Sequence, residues 1–280
     1  MEELNIIYDA FKNCLNEKPE DYPDDYNVLD NEYKLISLKD GRFVRKYNSY
    51  DKYKNEFNIS TRFFSFMLAF RGFNAFPKFF TDEDYDKLDA RTYYHGFKDF
   101  EHGASLLSDW NYHYGRGYAL GTYFSDAKYE ACDYARSESD LLPGDENKIL
   151  EVKIMSENEL GANMDIMALE NFIKYGVGDI NNFKIPEIAK QRLKNLIDFK
   201  NSHKADLEVK DFERFFENFT TPAILAVYLG FDYMFYYSVN ETEHIVVLNR
   251  SVIIVPEREF LKFTQNSKSY KGDSIDLEKI

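Results

Sequence analysis

The chain has 280 residues, of which 44% are apolar and 17% aromatic, enough to bury a sizeable core as one large domain or two small ones. Its 35 basic and 49 acidic residues leave a formal charge of −14, which disfavours nonspecific attraction to nucleic-acid phosphates and to anionic membranes. Cys14 and Cys132 are the only cysteines, too few for a disulfide scaffold and in no metal-ligand spacing, so no metal and a reducing, cytoplasmic compartment are expected.

The first residues lack the basic region and long apolar run of a secretory signal, and no stretch approaches the ~18 apolar residues of a membrane span. No membrane association is expected, while export by a dedicated machine stays open. Leu4, Ile7, Tyr8, Phe11 and Leu15 recur at helical spacing, which predicts an amphipathic helix over residues 2–15. Residues 17–25 carry Pro19, Pro23 and five carboxylates and read as an acidic linker. A hairpin is expected around Asp40 and Gly41.

Ser60 or Thr61 is expected to cap a dense aromatic helix over 62–70 that closes near Gly72. Pro77 reads as loop, Thr81 as the cap of a short helical turn, residues 91–95 as a strand and 99–107 as a helix. His102 and His113 read as surface histidines. Residues 110–114 form an aromatic segment, and 148–154 alternate as a half-buried strand does. Residues 156–219 have little β character and three helical patterns, over 157–175, 186–200 and 205–219. Pro222 opens a helix that ends at Gly230, and 231–239, 244–248 and 251–255 read as three successive strands. The last residues, from 266, are polar. This divides the chain into an N-terminal helical or mixed segment (1–59), a main domain (60–260) carrying a helical insert at about 156–219, and a polar tail (261–280).

The densest signal lies at 115–134. Gly115, Gly117 and Gly121 make a loop able to take positive φ and approach a ligand closely; Thr122, Tyr123 and Phe124 are β-formers; Ser125 or Asp126 caps a following helix. The loop, Gly117 included, is a candidate ligand wall. Tyr134 falls two to three turns into that helix, and a strand packed antiparallel to it would bring the rings of Tyr123 and Tyr134 face to face, a slot for a flat cationic ring.

Residues 121–126 (Gly-Thr-Tyr-Phe-Ser-Asp), with a second tyrosine eleven positions after Tyr123, resemble the Gly-x-Tyr-Phe-Ala-Asp motif of the poly(ADP-ribose) polymerase and diphtheria-toxin branch of the ADP-ribosyltransferases. Tyr94-His95-Gly96 resembles the first motif of that branch and residues 243–246 (Glu-His-Ile-Val) its third, so His95, Tyr123 and Glu243 stand where the family carries its His, Tyr and Glu. The surrounding text over roughly 60–257 is also similar to ADP-ribosyltransferase exoenzymes of phages and mobile elements. The resemblance implies an α+β domain with a split, mostly antiparallel β-sandwich clasping NAD as co-substrate. It implies that His95 bonds a ribose hydroxyl of the adenosine half, that the Gly96 backbone holds the nicotinamide carboxamide, and that Glu243 holds the nicotinamide ribose. Arg116 is either a pyrophosphate contact or a solvated loop residue.

Glu241 lies two residues before Glu243, so in an extended segment both carboxylates share a face. Glu-x-Glu here resembles the arginine-modifying transferases and makes protein arginine the leading acceptor. Phe97 and Ala131 stand where the polymerase motif has serines, which removes one side-chain bond to the carboxamide. The expected activity is mono-ADP-ribosyl transfer from NAD to a macromolecule. A nucleic-acid acceptor, an NAD glycohydrolase and an inactive NAD- or ADP-ribose-binding module stay open, as does the oligomeric state.

Overall fold

The computed structural model describes residues 2–16, 34–37, 43–46, 50–73, 76–108, 121–135, 145–161, 167–176, 178–203, 210–237 and 242–268. The acidic linker expected at 17–25, the segment 110–114 with His113, the glycine loop up to residue 120 and residues 269–280 of the tail lie outside them.

Helix α1 (Glu2–Asn16) buries Leu4, Ile7 and Phe11 on one stripe, as its spacing predicts. Strands β1 (Lys34–Ser37) and β2 (Phe43–Lys46) pair antiparallel, as the expected hairpin requires. Helix α2 (Tyr50–Arg71) corrects the expectation for Ser60 and Thr61: it starts at Tyr50 and runs through both, so neither is a cap. No Gly or Pro interrupts 50–61, and the Ser60 hydroxyl instead donates sideways to Asn218 Oδ1 at 2.5 Å. The boundary expected between residues 59 and 60 therefore falls inside a helix.

Then follow β3 (Lys78–Phe80), α3 (Asp82–Lys87) capped by Thr81, β4 (Thr92–Gly96), α4 (Phe100–Ser108), β5 (Thr122–Ser125), α5 (Lys128–Ala135) and β6 (Ile149–Ile154). Strand β7 (Glu159–Gly161) corrects the helix expected from residue 157: Leu160 alternates inward and the segment pairs in parallel with β8 (Tyr233–Tyr237). Three residues are too short for a period of two to stand out in the sequence. Helices α6 (Met167–Tyr175), α7 (Glu187–Ser202), α8 (Lys210–Phe219) and α9 (Pro222–Leu229) make up the insert and its exit. After β9 (Glu243–Val247) and β10 (Ile253–Pro256) the chain forms an unforeseen helix, α10 (Glu257–Asn266), which buries Phe260 and Phe263.

Eight strands join in the order β3-β10-β6-β4-β5-β9-β8-β7, antiparallel except where β10 meets β3 and β7 meets β8. The chain is α+β, but these strands form one hydrogen-bonded sheet rather than the two facing sheets of a sandwich. On one face, Leu160, Met234, Val246 and the half-buried Tyr123 pack into a core built by α1, α2 and α6–α9. Helix α8 alone contributes Phe212, Phe215, Phe216 and Phe219 at 3–4 spacing, each worth ~1.5–3 kcal/mol of burial. The N-terminal helix and the insert are thus parts of one bundle backing the sheet. On the other face, Tyr93, Phe97, Phe124, Ile245 and Val247 pack against Leu106 and Leu107 of α4 and Phe260 and Phe263 of α10. Among the described residues no helix is long and apolar enough to cross a membrane.

Candidate functional site

The site forms where the sheet comes apart. β4 pairs with β6 along its whole length, from Thr92↔Lys153 to Gly96↔Ile149, and just beyond it the Phe97 N–H donates to Lys148 O at 2.9 Å. Bonding alternates along an antiparallel ladder, so Tyr93, His95 and Phe97 direct their backbone groups to β6, while Tyr94 and Gly96 direct theirs toward β5. On β5, the Asp126 N–H donates to Glu243 O at 3.0 Å; the same alternation turns Ser125 and Tyr123 toward β4. Tyr94↔Ser125 is accordingly formed, and it is the one pair that β4 and β5 register. The next pair in line, Gly96 with Tyr123, is replaced by a side chain: His95 Nδ1 bonds the Tyr123 carbonyl. Gly121, at φ +140°, turns the chain into β5 at the open end of this seam.

A carbonyl only accepts, so His95 Nδ1 carries the hydrogen and Nε2 the lone pair. Burial pushes the imidazole below its usual pKa, against the opposing effect of the Tyr123 carbonyl, and the ring is neutral at neutral pH. Phe97 and Phe124 flank it with ring centroids 4.4 and 5.4 Å away.

Glu243 opens β9 on the same sheet face as Tyr93 and His95. Two strand spacings, ~10 Å, separate β9 from β4, and Glu243 lies two residues, ~7 Å, along from the row of His95. Its carboxylate is fully engaged. Oε1 accepts from Tyr93 Oη at 2.5 Å, Oε2 accepts from Tyr237 Oη at 3.2 Å, and Arg91 Nη1 pairs with Oε2 at 3.1 Å. Arg91 Nη2 also pairs with Asp126, whose Oδ1 takes the Glu243 N–H at 3.0 Å. Of the two residues expected to cap the following helix, Asp126 is thus a bridge between strands, and it is Ser125 whose Oγ takes a backbone N–H, that of Ala127. Burial and the bond to Glu243 raise the Tyr93 phenol far above its usual pKa, so it stays a donor. Desolvation works against the Arg91 charge, but Glu243 and Asp126 outweigh it and raise its pKa.

Helix α5 lies on the opposite face, with Ala131 and Ala135 against Gly96 and Ile149. Glu130 fastens it: Oε2 accepts from Ser125 Oγ at 2.8 Å and meets His244 Nε2 at 2.7 Å, and Oε1 accepts from Thr242 Oγ1 at 2.7 Å. Burial raises the Glu130 pKa, but the hydrogen bonds from Thr242 and Ser125 and the charge of His244 overcome it and leave the carboxyl below its usual range. Tyr134, one turn after Glu130, lies on the same β5-facing side of the helix, and Tyr123 projects to this face too. Tyr129 points away from the stripe of Ala131 and Ala135. Both helix tyrosines are exposed, at 56% and 57%, so side and not burial separates them. If the slot takes the nicotinamide of NAD, as the sequence resemblance implies, Tyr134→Ala is expected to weaken NAD binding about tenfold, in line with a lost aromatic stack, and Tyr129→Ala about twofold or less. Calorimetry on the two folded variants checks this, and a greater loss from Tyr129→Ala would refute the slot.

The structure therefore gathers His95, Gly96 and Tyr123 at one seam, sets Glu243 on its next strand and hangs Tyr134 over its far side. Arg116, Gly117 and Glu241 lie outside the described residues. Sequence reasoning missed Arg91, Tyr93, Tyr237, the Glu130–His244 pair and the cross-strand role of Asp126. Only the first two left a signal, since Arg91, Tyr93 and His95 alternate onto one face of a strand. His102 is exposed, as expected, with Nδ1 2.6 Å from Asp99. Comparison with protein-family models, curated proteins and solved structures gave no match.

Proposed function

We propose that this chain is an NAD-dependent mono-ADP-ribosyltransferase, moving ADP-ribose to a macromolecular acceptor, protein arginine favoured, and releasing nicotinamide. The observation that carries this reading is the seam: Gly96 directs a backbone N–H and C=O toward β5 where the ladder has stopped. One donor beside one acceptor is the complement of a primary carboxamide, and the residues around it fit NAD. Tyr123 and Tyr134 supply aromatic walls for the nicotinamide ring on the α5 face, while His95 Nε2, an acceptor for a ribose hydroxyl, lies with Glu243 on the other face, so a ligand that meets both sets has to reach through the open seam.

Bound NAD supplies a ribose–nicotinamide bond whose cleavage expels a neutral base and builds positive charge at the anomeric carbon. Glu243 brings the negative charge, aligned by Tyr93 and Tyr237 so that little reorganisation is needed, and Arg91, 3.1 Å from Oε2, offsets part of that charge until it turns to Asp126. The preference for arginine as acceptor rests on Glu241 in the Glu-x-Glu pair, since a carboxylate selects a planar guanidinium fork over a lysine ammonium, whereas Asp126 and Glu243 already pair with Arg91.

The test is incubation with labelled NAD and candidate acceptors, with nicotinamide release and the label's location read together. Nicotinamide release with label on protein arginine, abolished by Glu241→Ala while slow hydrolysis persists, is the expected result. Label on nucleic acid, or full protein labelling by Glu241→Ala, would sink the arginine assignment. Release without any labelled acceptor makes the chain a glycohydrolase, and NAD binding without release makes it a binding module.

A further inference from the structure

An eight-stranded sheet that is paired at every other neighbour has no evident reason to open between β4 and β5. Both strands are in register at Tyr94↔Ser125, and the alternation set up by β6 on one side and β9 on the other aims Gly96 and Tyr123 at each other. In a continuing ladder the Gly96 N–H would donate to the Tyr123 carbonyl. That carbonyl is taken by His95 Nδ1. The competitor is an immediate chain neighbour of Gly96, and its ring is fixed between Phe97 and Phe124, so it bears on the carbonyl with little conformational entropy left to lose.

We propose that His95 is the wedge that keeps this sheet open: its imidazole Nδ1–H substitutes for the Gly96 N–H at the Tyr123 carbonyl, and so holds the Gly96 backbone available for a planar carboxamide ligand. His95 is on this account a positioning residue acting through Gly96, besides any contact of Nε2 with a ribose. The ligand class rests on the NAD reading, whereas the wedge does not. A side chain that ends in an N–H at the Nδ1 position suffices for the wedge. Asn provides one in its side-chain amide, and Ala does not.

Hydrogen exchange on the full chain labelled with 15N-glycine tests this, since Gly96 is one of only 13 glycines. In His95→Ala the Gly96 amide is expected to exchange about tenfold more slowly than in the wild type, as it enters the ladder, and to lose the resonance shift caused by free nicotinamide. His95→Asn is expected to keep both wild-type behaviours. An unchanged Gly96 exchange rate in His95→Ala would overturn the wedge. So would retained nicotinamide binding with only NAD affinity reduced, because the imidazole would then serve as a ribose contact alone. Should His95→Ala fail to fold, His95→Asn decides: a slowed Gly96 amide there refutes the proposal, and a wild-type rate supports it. Nicotinamide that leaves the wild-type Gly96 resonance unmoved would count against the NAD reading, and the exchange comparison would still decide the wedge.

Discussion

Glu243→Gln is expected to slow nicotinamide release about 10²- to 10³-fold with NAD affinity within a few-fold of the wild type, because the lost charge meets a cation that develops only in the transition state. The surroundings sharpen this expectation. The carboxylate accepts from Tyr93 on one oxygen and from Tyr237 and Arg91 on the other. An amide offers a single acceptor oxygen, so its NH₂ faces either the guanidinium, which cannot accept, or the Tyr93 phenol, which must then turn its own O–H away from residue 243. Arg91 then leans on Asp126 alone, and the acid is lost together with its alignment. Release rates and calorimetric NAD affinity, measured on the same preparation, check the result. Unchanged turnover would remove Glu243 from the mechanism, and a parallel collapse of NAD affinity would make it a binding group instead.

What the sequence disclosed depends on how far each interaction reaches. Strands β4, β5 and β9 were legible because aromatic and β-branched residues run together in them, and α1, α7 and α9 because apolar spacing, Pro222 and Gly230 mark them out. Ser60 and Thr61 misled because a hydroxyl suited to capping is equally able to reach across to Asn218. Strand β7 and helix α10 were missed for a different reason. The first is stabilised by the edge of β8, and the second follows Pro256 with only Phe260 and Phe263 to announce its buried side.

The site divides in the same way. His95, Gly96, Tyr123, Tyr134 and Glu243 are carried by short motifs. The groups that hold them are not: Tyr93 reaches Glu243 across 150 positions, the Glu243 amide reaches Asp126 across 117 and Thr242 reaches Glu130 across 112. Only the register of β4, β5 and β9 brings those pairs together, and no local pattern encodes a register between strands so far apart. Asp126 is the instructive instance. Its capacity to accept a backbone N–H was visible, but the N–H it takes belongs to Glu243 on the neighbouring strand and not to the helix that follows it.

Gly96→Ala is expected to destabilise the protein by about 3 kcal/mol, the upper part of the usual overpacking range, and to reduce nicotinamide binding along with stability. A Cβ on Gly96 would sit 1.9 Å from Ala131 O and 2.9 Å from both Ala131 C and Ala135 N. All three are backbone atoms of α5, so no side chain can swing aside to relieve the contact. β4 cannot retreat, because it is paired with β6 along its full length, and the helix must therefore lift. Lifting it strains the bonds of Glu130 to Ser125, Thr242 and His244 and carries Tyr134 away from Tyr123. Conformational strain plays no part, since Gly96 lies outside the left-handed region that Gly72 occupies at φ +73° with nothing within 4 Å of its virtual Cβ. Gly72→Ala is thus the control for backbone cost without collision, expected near 1–2 kcal/mol. Urea unfolding of the two variants separates the effects. A Gly96→Ala protein no less stable than Gly72→Ala would mean that α5 is not seated on β4, and the nicotinamide slot drawn from that packing would fall with it.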